Sequence, residues 1–171
     1  MNASNESEAA PMKNPTTVDR KSDREMVVTR TFDAPARLVF EAWAKPELFK
    51  RWWAPKSMGV PLRSCEADVR VGGKYRLEFG HEGSEPMAFF GRYIEVIPNS
   101  RLVWSNEESA DGAVTTVTFE ERDGKTLLVL HELYPSKEAL DASIGGMDMA
   151  PEQFGQLDEL LVTLGADAGR S

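Results

Sequence analysis

The sequence predicts an α+β domain in which one strand is followed by two short helices, a run of antiparallel strands and a long final helix. Three observations predict it. Pro35 and Pro46 stand where two successive amphipathic segments begin, a position that tolerates proline because the N–H it lacks would be unpaired there anyway. Between Leu62 and Tyr134, segments rich in Val, Thr, Phe and Leu alternate with turn residues at regular spacing, as successive hairpins require. From about Ala150, the residues Phe154, Leu157, Leu160, Leu161 and Leu164 fall on one face of a helix.

Residues 1–24 contain no aromatic side chain and little that could enter a core, so they are expected to be a disordered polar tail, with the domain spanning 25–166 and a disordered end at 167–171. In Glu25–Phe32, Met26, Val28, Arg30 and Phe32 alternate with Val27, Thr29 and Thr31, a strand pattern. Asp33 is placed to cap the helix opened by Pro35, whose Leu38, Val39, Ala42 and Trp43 share a face. Pro46 forces a restart, giving a second short helix with Phe49, Trp52 and Trp53. Turns are predicted at Gly72-Gly73, His81–Ser84, Pro98-Asn99, Ala110–Gly112 and, most clearly, Asp123-Gly124. Lys137–Ile144 is expected to add a helical turn or two, interrupted by Gly145-Gly146, and Gly165 to end the last helix.

At 171 residues the chain is one ordinary domain with a tail, large enough to bury roughly 70% of its unfolded surface without metal or disulfide. Its single cysteine, Cys65, cannot form an intrachain bridge and reads as a small strand residue. A net charge of −8 argues against nucleic acid, whose phosphates are bound by clustered Lys and Arg. No apolar run reaches the roughly 18–20 residues of a membrane span, so a soluble, cytoplasmic protein with no membrane partner is expected. Two histidines and one cysteine, without ligand spacing, give no metal site, and no nucleophile elbow or phosphate-cradling loop occurs, so no cofactor is expected.

The stretch Arg30–Trp43, then Lys45–Pro55 with its Trp52-Trp53 pair, Asp68–Arg76, Gly91–Pro98, Arg101–Trp104 and Gly145–Phe154 together resemble a known family in its own order. The chain is identified as similar to the START-like (SRPBCC) superfamily, in the branch named after the activator of heat-shock-protein-90 ATPase, over about residues 25–165. That resemblance implies the helix-grip, birch-pollen-allergen-like fold, in which a curved antiparallel sheet wraps around the long C-terminal helix. Such domains serve as binding modules, cyclases and chaperone partners alike, so fold alone leaves function open.

A sheet wrapped around one helix leaves a cavity between them. In Lys74–Phe79 the inward set is Tyr75, Leu77 and Phe79, because the other set is Lys74, Arg76 and Glu78. Leu102 with Trp104, and Val117 with Phe119, make similar pairs. Trp43, Phe49, Trp52 and Trp53 from the short helices, with Met147, Met149 and Phe154 at the start of the last one, complete an expected wall of aromatic rings and thioethers. Such a wall suits a flat or irregular apolar ligand, and the same residues would equally fill a core. An empty apolar void of roughly 300 Å³ would cost about 7 kcal/mol, so a large cavity must hold ligand or water, or shrink.

Polar candidates are few. His131 and Glu132 are adjacent on a strand and point to opposite faces, so one of them is expected to face the cavity, where its pKa would be shifted. The leading expectation is a protein that binds a small hydrophobic or aromatic molecule. The alternative is a cavity enzyme of polyketide-cyclase or hydrolase type that moves one proton through His131 or Glu132; no other catalytic residue can be named. A co-chaperone role is weaker, because only about 24 polar residues precede the fold. A homodimer is also expected, from exposed strand edges and the Trp52-Trp53 corner.

Overall fold

The computed structural model describes residues 16–81, 83–107, 112–147 and 149–170. Eight strands form one open antiparallel sheet: β1 (Thr17–Ser22), β2 (Glu25–Phe32), β3 (Leu62–Ala67), β4 (Lys74–Phe79), β5 (Met87–Ile97), β6 (Arg101–Ser105), β7 (Val114–Arg122) and β8 (Lys125–Leu133). Their spatial order is β1-β2-β8-β7-β6-β5-β4-β3, so every neighbour except β2–β8 is a sequential hairpin. The helices are α1 (Ala36–Ala44), α2 (Pro46–Trp52), α3 (Lys137–Met147) and α4 (Ala150–Arg170), with a 3-10 turn at Lys56–Met58. This is the predicted helix-grip arrangement, a curved open sheet with α4 held against its inner face.

The alternation in β2 is obeyed: Met26, Val28, Arg30 and Phe32 are buried, whereas Val27, Thr29 and Thr31 are not. Arg30 turns a cation into the core at 6% exposure, where it ion-pairs with Asp158 of α4 and donates to Thr16 Oγ1 at 3.0 Å. A buried charge needs such partners, and this pair ties the last helix to the first core strand. The turn at Asp123-Gly124 joins β7 and β8 with both residues at positive φ (55° and 79°), the backbone a tight hairpin demands.

Four expectations are corrected. The expectation of disorder through residue 24 fails at residues 17–22, which form the edge strand β1, paired with β2 through backbone bonds that polar side chains do not hinder; the rest of that expectation, over 1–15, lies outside the described residues. Asp33 does not provide the cap of α1: Pro35 occupies the cap position without a side-chain bond, and the Ala36 N–H donates to Glu121 Oε1 of β7 at 2.9 Å. Gly145-Gly146 does not interrupt α3, which continues to Met147. Gly165 does not end α4, which continues to Arg170 through residues assigned to a disordered end.

No helix among the described residues is long and apolar enough to cross a membrane. The Trp52 side chain is fully buried and its indole N–H donates to Ala42 O at 2.9 Å, so the tryptophan corner exposes less apolar surface than the sequence suggested.

Candidate functional site

Where α2 lies over the β3–β6 half of the sheet, a cavity of about 200 Å³ remains. The helix side supplies Trp43, Pro46, Phe49 and Trp53. The Phe49 and Trp53 rings stack at 4.7 Å and 25°, and Trp43 meets Trp53 edge-on at 5.9 Å. The floor comes from β4, whose alternation turns Tyr75, Leu77 and Phe79 inward. Cys65 and Ala67 of β3, Phe89 and Tyr93 of β5, and Trp104 with Asn106 at the end of β6 close the rest. Aromatic edges meet around this wall at Phe79–Phe89 (5.6 Å), Tyr75–Tyr93 (5.9 Å) and Tyr93–Trp104 (6.3 Å).

Of the residues expected at the site, Trp43, Phe49, Trp53, Tyr75, Leu77, Phe79 and Trp104 come together here. The others do not line the cavity. Trp52, Val117, Phe119 and Phe154 are core: Phe154 packs on Phe32 at 5.7 Å, and Phe119 on Phe40 at 5.5 Å. Met149 immediately precedes α4 and does not line the cavity, and the side chain of Met147 lies outside the described residues. The cavity therefore sits between α2 and the outer hairpins, while α4 fills the inner half of the sheet with packed side chains.

His131 and Glu132 do take opposite faces, and neither reaches the cavity. His131 points outward to Glu25, 2.8 Å from its carboxylate, and that bond holds the Glu25 carboxyl below its ordinary range. Glu132 points inward, opposite Thr115 on β7. Its carboxyl accepts from Tyr134 (2.6 Å) and Thr115 (3.2 Å), yet burial outweighs both bonds and pushes its pKa up.

Glu132 is connected to the cavity indirectly. Asn106 Nδ2 donates to Thr115 Oγ1 at 3.0 Å and to Ala113 O at 2.6 Å, while Asn106 Oδ1 accepts from the Tyr75 hydroxyl at 3.0 Å. That hydroxyl also lies 2.9 Å from Ser105 O. The chain Glu132–Thr115–Asn106–Tyr75 thus fixes the polar end of an otherwise apolar wall. Asn106, Tyr93, Phe89, Cys65, Ala67 and Pro46 were not expected there. Tyr93 carried a usable signal, as an aromatic residue two positions beyond Gly91, but its neighbours Ile94 and Val96 made the inward set ambiguous.

The rim is clasped by α4. Gln156 Nε2 donates to Trp52 O (2.8 Å) and Ala54 O (3.0 Å), and Gln153 Nε2 to Trp53 O (2.7 Å). Lys56 N–H donates to Gln156 Oε1, and Ser57 donates through both its N–H and its hydroxyl to the Glu152 carboxylate. Those Ser57 bonds hold the Glu152 carboxyl below its ordinary range. Among the described residues no cluster of ligating side chains could hold a metal ion.

An open curved antiparallel sheet, short helices over one end and an aromatic cavity beneath them define a START-like, SRPBCC-type domain. The chain belongs to the activator of Hsp90 ATPase homolog 1-like protein family, whose family model matches residues 33–161. Solved structures share the fold. A Rhodobacter sphaeroides protein superposes with a TM-score of 0.78 at 23% identity, over 87% of this chain and 99% of the other. A Nitrosomonas europaea protein gives 0.75 at 20% identity, over 86% and 99%. A Mycobacterium smegmatis protein gives 0.75 at 24%, over 86% and 97%. No curated protein matches the sequence significantly.

Proposed function

We propose that the protein binds a small hydrophobic or aromatic molecule in the cavity between α2 and strands β3–β6. The observation that carries this reading is the wall itself: eight of its thirteen lining residues are aromatic, which suits a flat apolar molecule such as a ring. Its size fits the same conclusion. A dry apolar cavity of about 150 Å³ accepts benzene, so about 200 Å³ has room for a substituted ring or a small fused pair.

The enzymatic alternative through His131 or Glu132 has less support, because both stand off the cavity and a general acid or base must reach the reacting atom. The family's name describes the activity of a namesake, and brings no chaperone role to this chain by itself.

The test is mass spectrometry of native against denatured protein, combined with titration of indane, a two-ring hydrocarbon, followed by fluorescence of Trp43, Trp53 and Trp104. A stoichiometric released compound, or saturable indane binding that Leu77→Trp abolishes by filling the cavity, is the expected result. No released compound and no saturable response from folded protein would sink the reading.

A further inference from the structure

We infer that the cavity takes an uncharged ring compound bearing a carbonyl oxygen, and that the Tyr93 hydroxyl is the donor that selects it. This rests on the ligand-binding reading above and adds the chemistry of the occupant. Tyr93 is 7% exposed and lines the cavity. Its hydroxyl has no hydrogen-bond partner among the described residues, yet it is not sealed off as the unpaired Trp43 indole N–H is. Burial pushes its pKa up, so it stays a neutral O–H. The hydroxyl is accessible and uncommitted, so an acceptor entering the cavity can meet it without displacing a protein partner.

The other donors of the wall are committed, weak, sealed off as the Trp43 indole is, or on more exposed side chains. Both Asn106 N–H groups are used, on Thr115 Oγ1 and Ala113 O, so Asn106 can offer the cavity only its acceptor oxygen. The single hydrogen of the Tyr75 hydroxyl lies between Ser105 O and Asn106 Oδ1. Cys65 offers a thiol, a weak donor. Trp53 and Trp104 are half-buried, and water can reach them more readily than Tyr93. Tyr93 is thus the uncommitted donor on a largely buried side chain, and an acceptor-only oxygen is its natural complement.

Charge is excluded by the same census. Among the described residues that line the cavity none carries a formal charge, and burying an ion without a counter-charge is far costlier than burying a ketone. A carboxylate of the same shape should therefore be rejected.

The experiment titrates three probes of one shape, indane, 1-indanone and indane-1-carboxylate, into wild type and Tyr93→Phe at neutral pH. Loss of the hydroxyl is expected to weaken 1-indanone about fivefold more than it changes indane, and the carboxylate should bind wild type at least tenfold more weakly than the ketone. A circular-dichroism spectrum and unfolding midpoint like those of wild type show that the variant is folded. In wild type alone, the carbonyl stretch of bound 1-indanone should lie at lower frequency than in an alkane solvent, a signature that needs no variant. The proposal is overturned if Tyr93→Phe weakens indane as much as 1-indanone, if it leaves 1-indanone untouched, if the stretch matches that in alkane, or if the carboxylate binds as well as the ketone. Each of those leaves ring binding itself intact, whereas failure of both indane and 1-indanone to bind wild type removes the ligand-binding reading along with the proposal.

Discussion

The Tyr134 hydroxyl donates to Glu132 Oε1 at 2.6 Å, from only two residues along the chain. With Thr115 on the second oxygen, it holds a carboxyl group inside the sheet whose pKa burial has raised above 4.5. In the window between the unfolded and the folded pKa, the native state binds more protons than the unfolded chain. This group's contribution therefore falls as pH rises from about 4.5 through the folded value, with a slope of at most about 1.4 kcal/mol per pH unit. Urea midpoints measured against pH should show that fall in wild type and a flatter profile in Glu132→Gln. Glu132→Ala, which strands two hydroxyls, should lose about 2 kcal/mol. Parallel profiles for wild type and Glu132→Gln would contradict the raised pKa.

Two glycines should respond to alanine in opposite directions. A Cβ on Gly91 would lie 1.8 Å from Ser105 O, so β5 and β6 approach too closely for any side chain there, and Gly91→Ala should lose about 3 kcal/mol. Gly155 lies inside α4 with nothing within 4 Å of the same atom, and Gly155→Ala should gain about 0.5–1 kcal/mol from helix propensity. Thermal unfolding of both variants checks the pair; a Gly91→Ala protein as stable as wild type would mean the strands separate freely.

Burial pushes the Cys65 thiol up to about 11. At pH 8 its thiolate fraction is then on the order of 100-fold below that of a free cysteine, so alkylation should be slower by a similar factor. The rate should rise toward pH 11 instead of levelling off above 8.5, and a bound ring should slow it further because Cys65 lines the cavity. Ordinary labelling at pH 8 would show a more accessible thiol than the structure has.

The Ser57–Glu152 contact should make the rim acid-sensitive. Because the folded pKa of Glu152 is depressed, its contribution is fully present above the unfolded value of about 4.5 and is lost as pH falls through the folded one. Ser57→Ala should unfold at lower urea than wild type at pH 7, and the gap should narrow in acid. A gap constant with pH would assign the effect to packing.

What could be read from the sequence follows from how each residue is contrasted with its neighbours. Tyr75, Leu77 and Phe79 were legible because their alternates are charged. Tyr93 was not, because Ile94 and Val96 are apolar too and a register shift between Tyr93 and Glu95 breaks the alternation. Cys65 and Ala67 are small, and they follow a similar irregularity in β3. β1 is placed by backbone pairing, Val18 and an ion pair from Arg20 to Asp141 of α3, none of which leaves an alternating side-chain pattern to mark it. The cap of α1 comes from Glu121, 85 positions along the chain on β7, and so has no local spacing to reveal it. The α4 stripe placed Phe154 correctly on an inner face, but only the structure shows that this face is filled, with the void displaced toward the other end of the sheet.

The strand order described above also bears on how the molecule comes to be assembled. β3 to β8 are linked by short connections, whereas β2 joins β8 through residues such as Glu25 and His131, 106 positions apart. Closing so long a loop carries an entropic penalty that the hairpins do not, and non-local pairing slows folding. Pulse-labelled hydrogen exchange should accordingly protect the β4–β6 amides before those of β2, so that the walls of the cavity are standing before the chain's first core strand docks; simultaneous protection would instead mean a single concerted step.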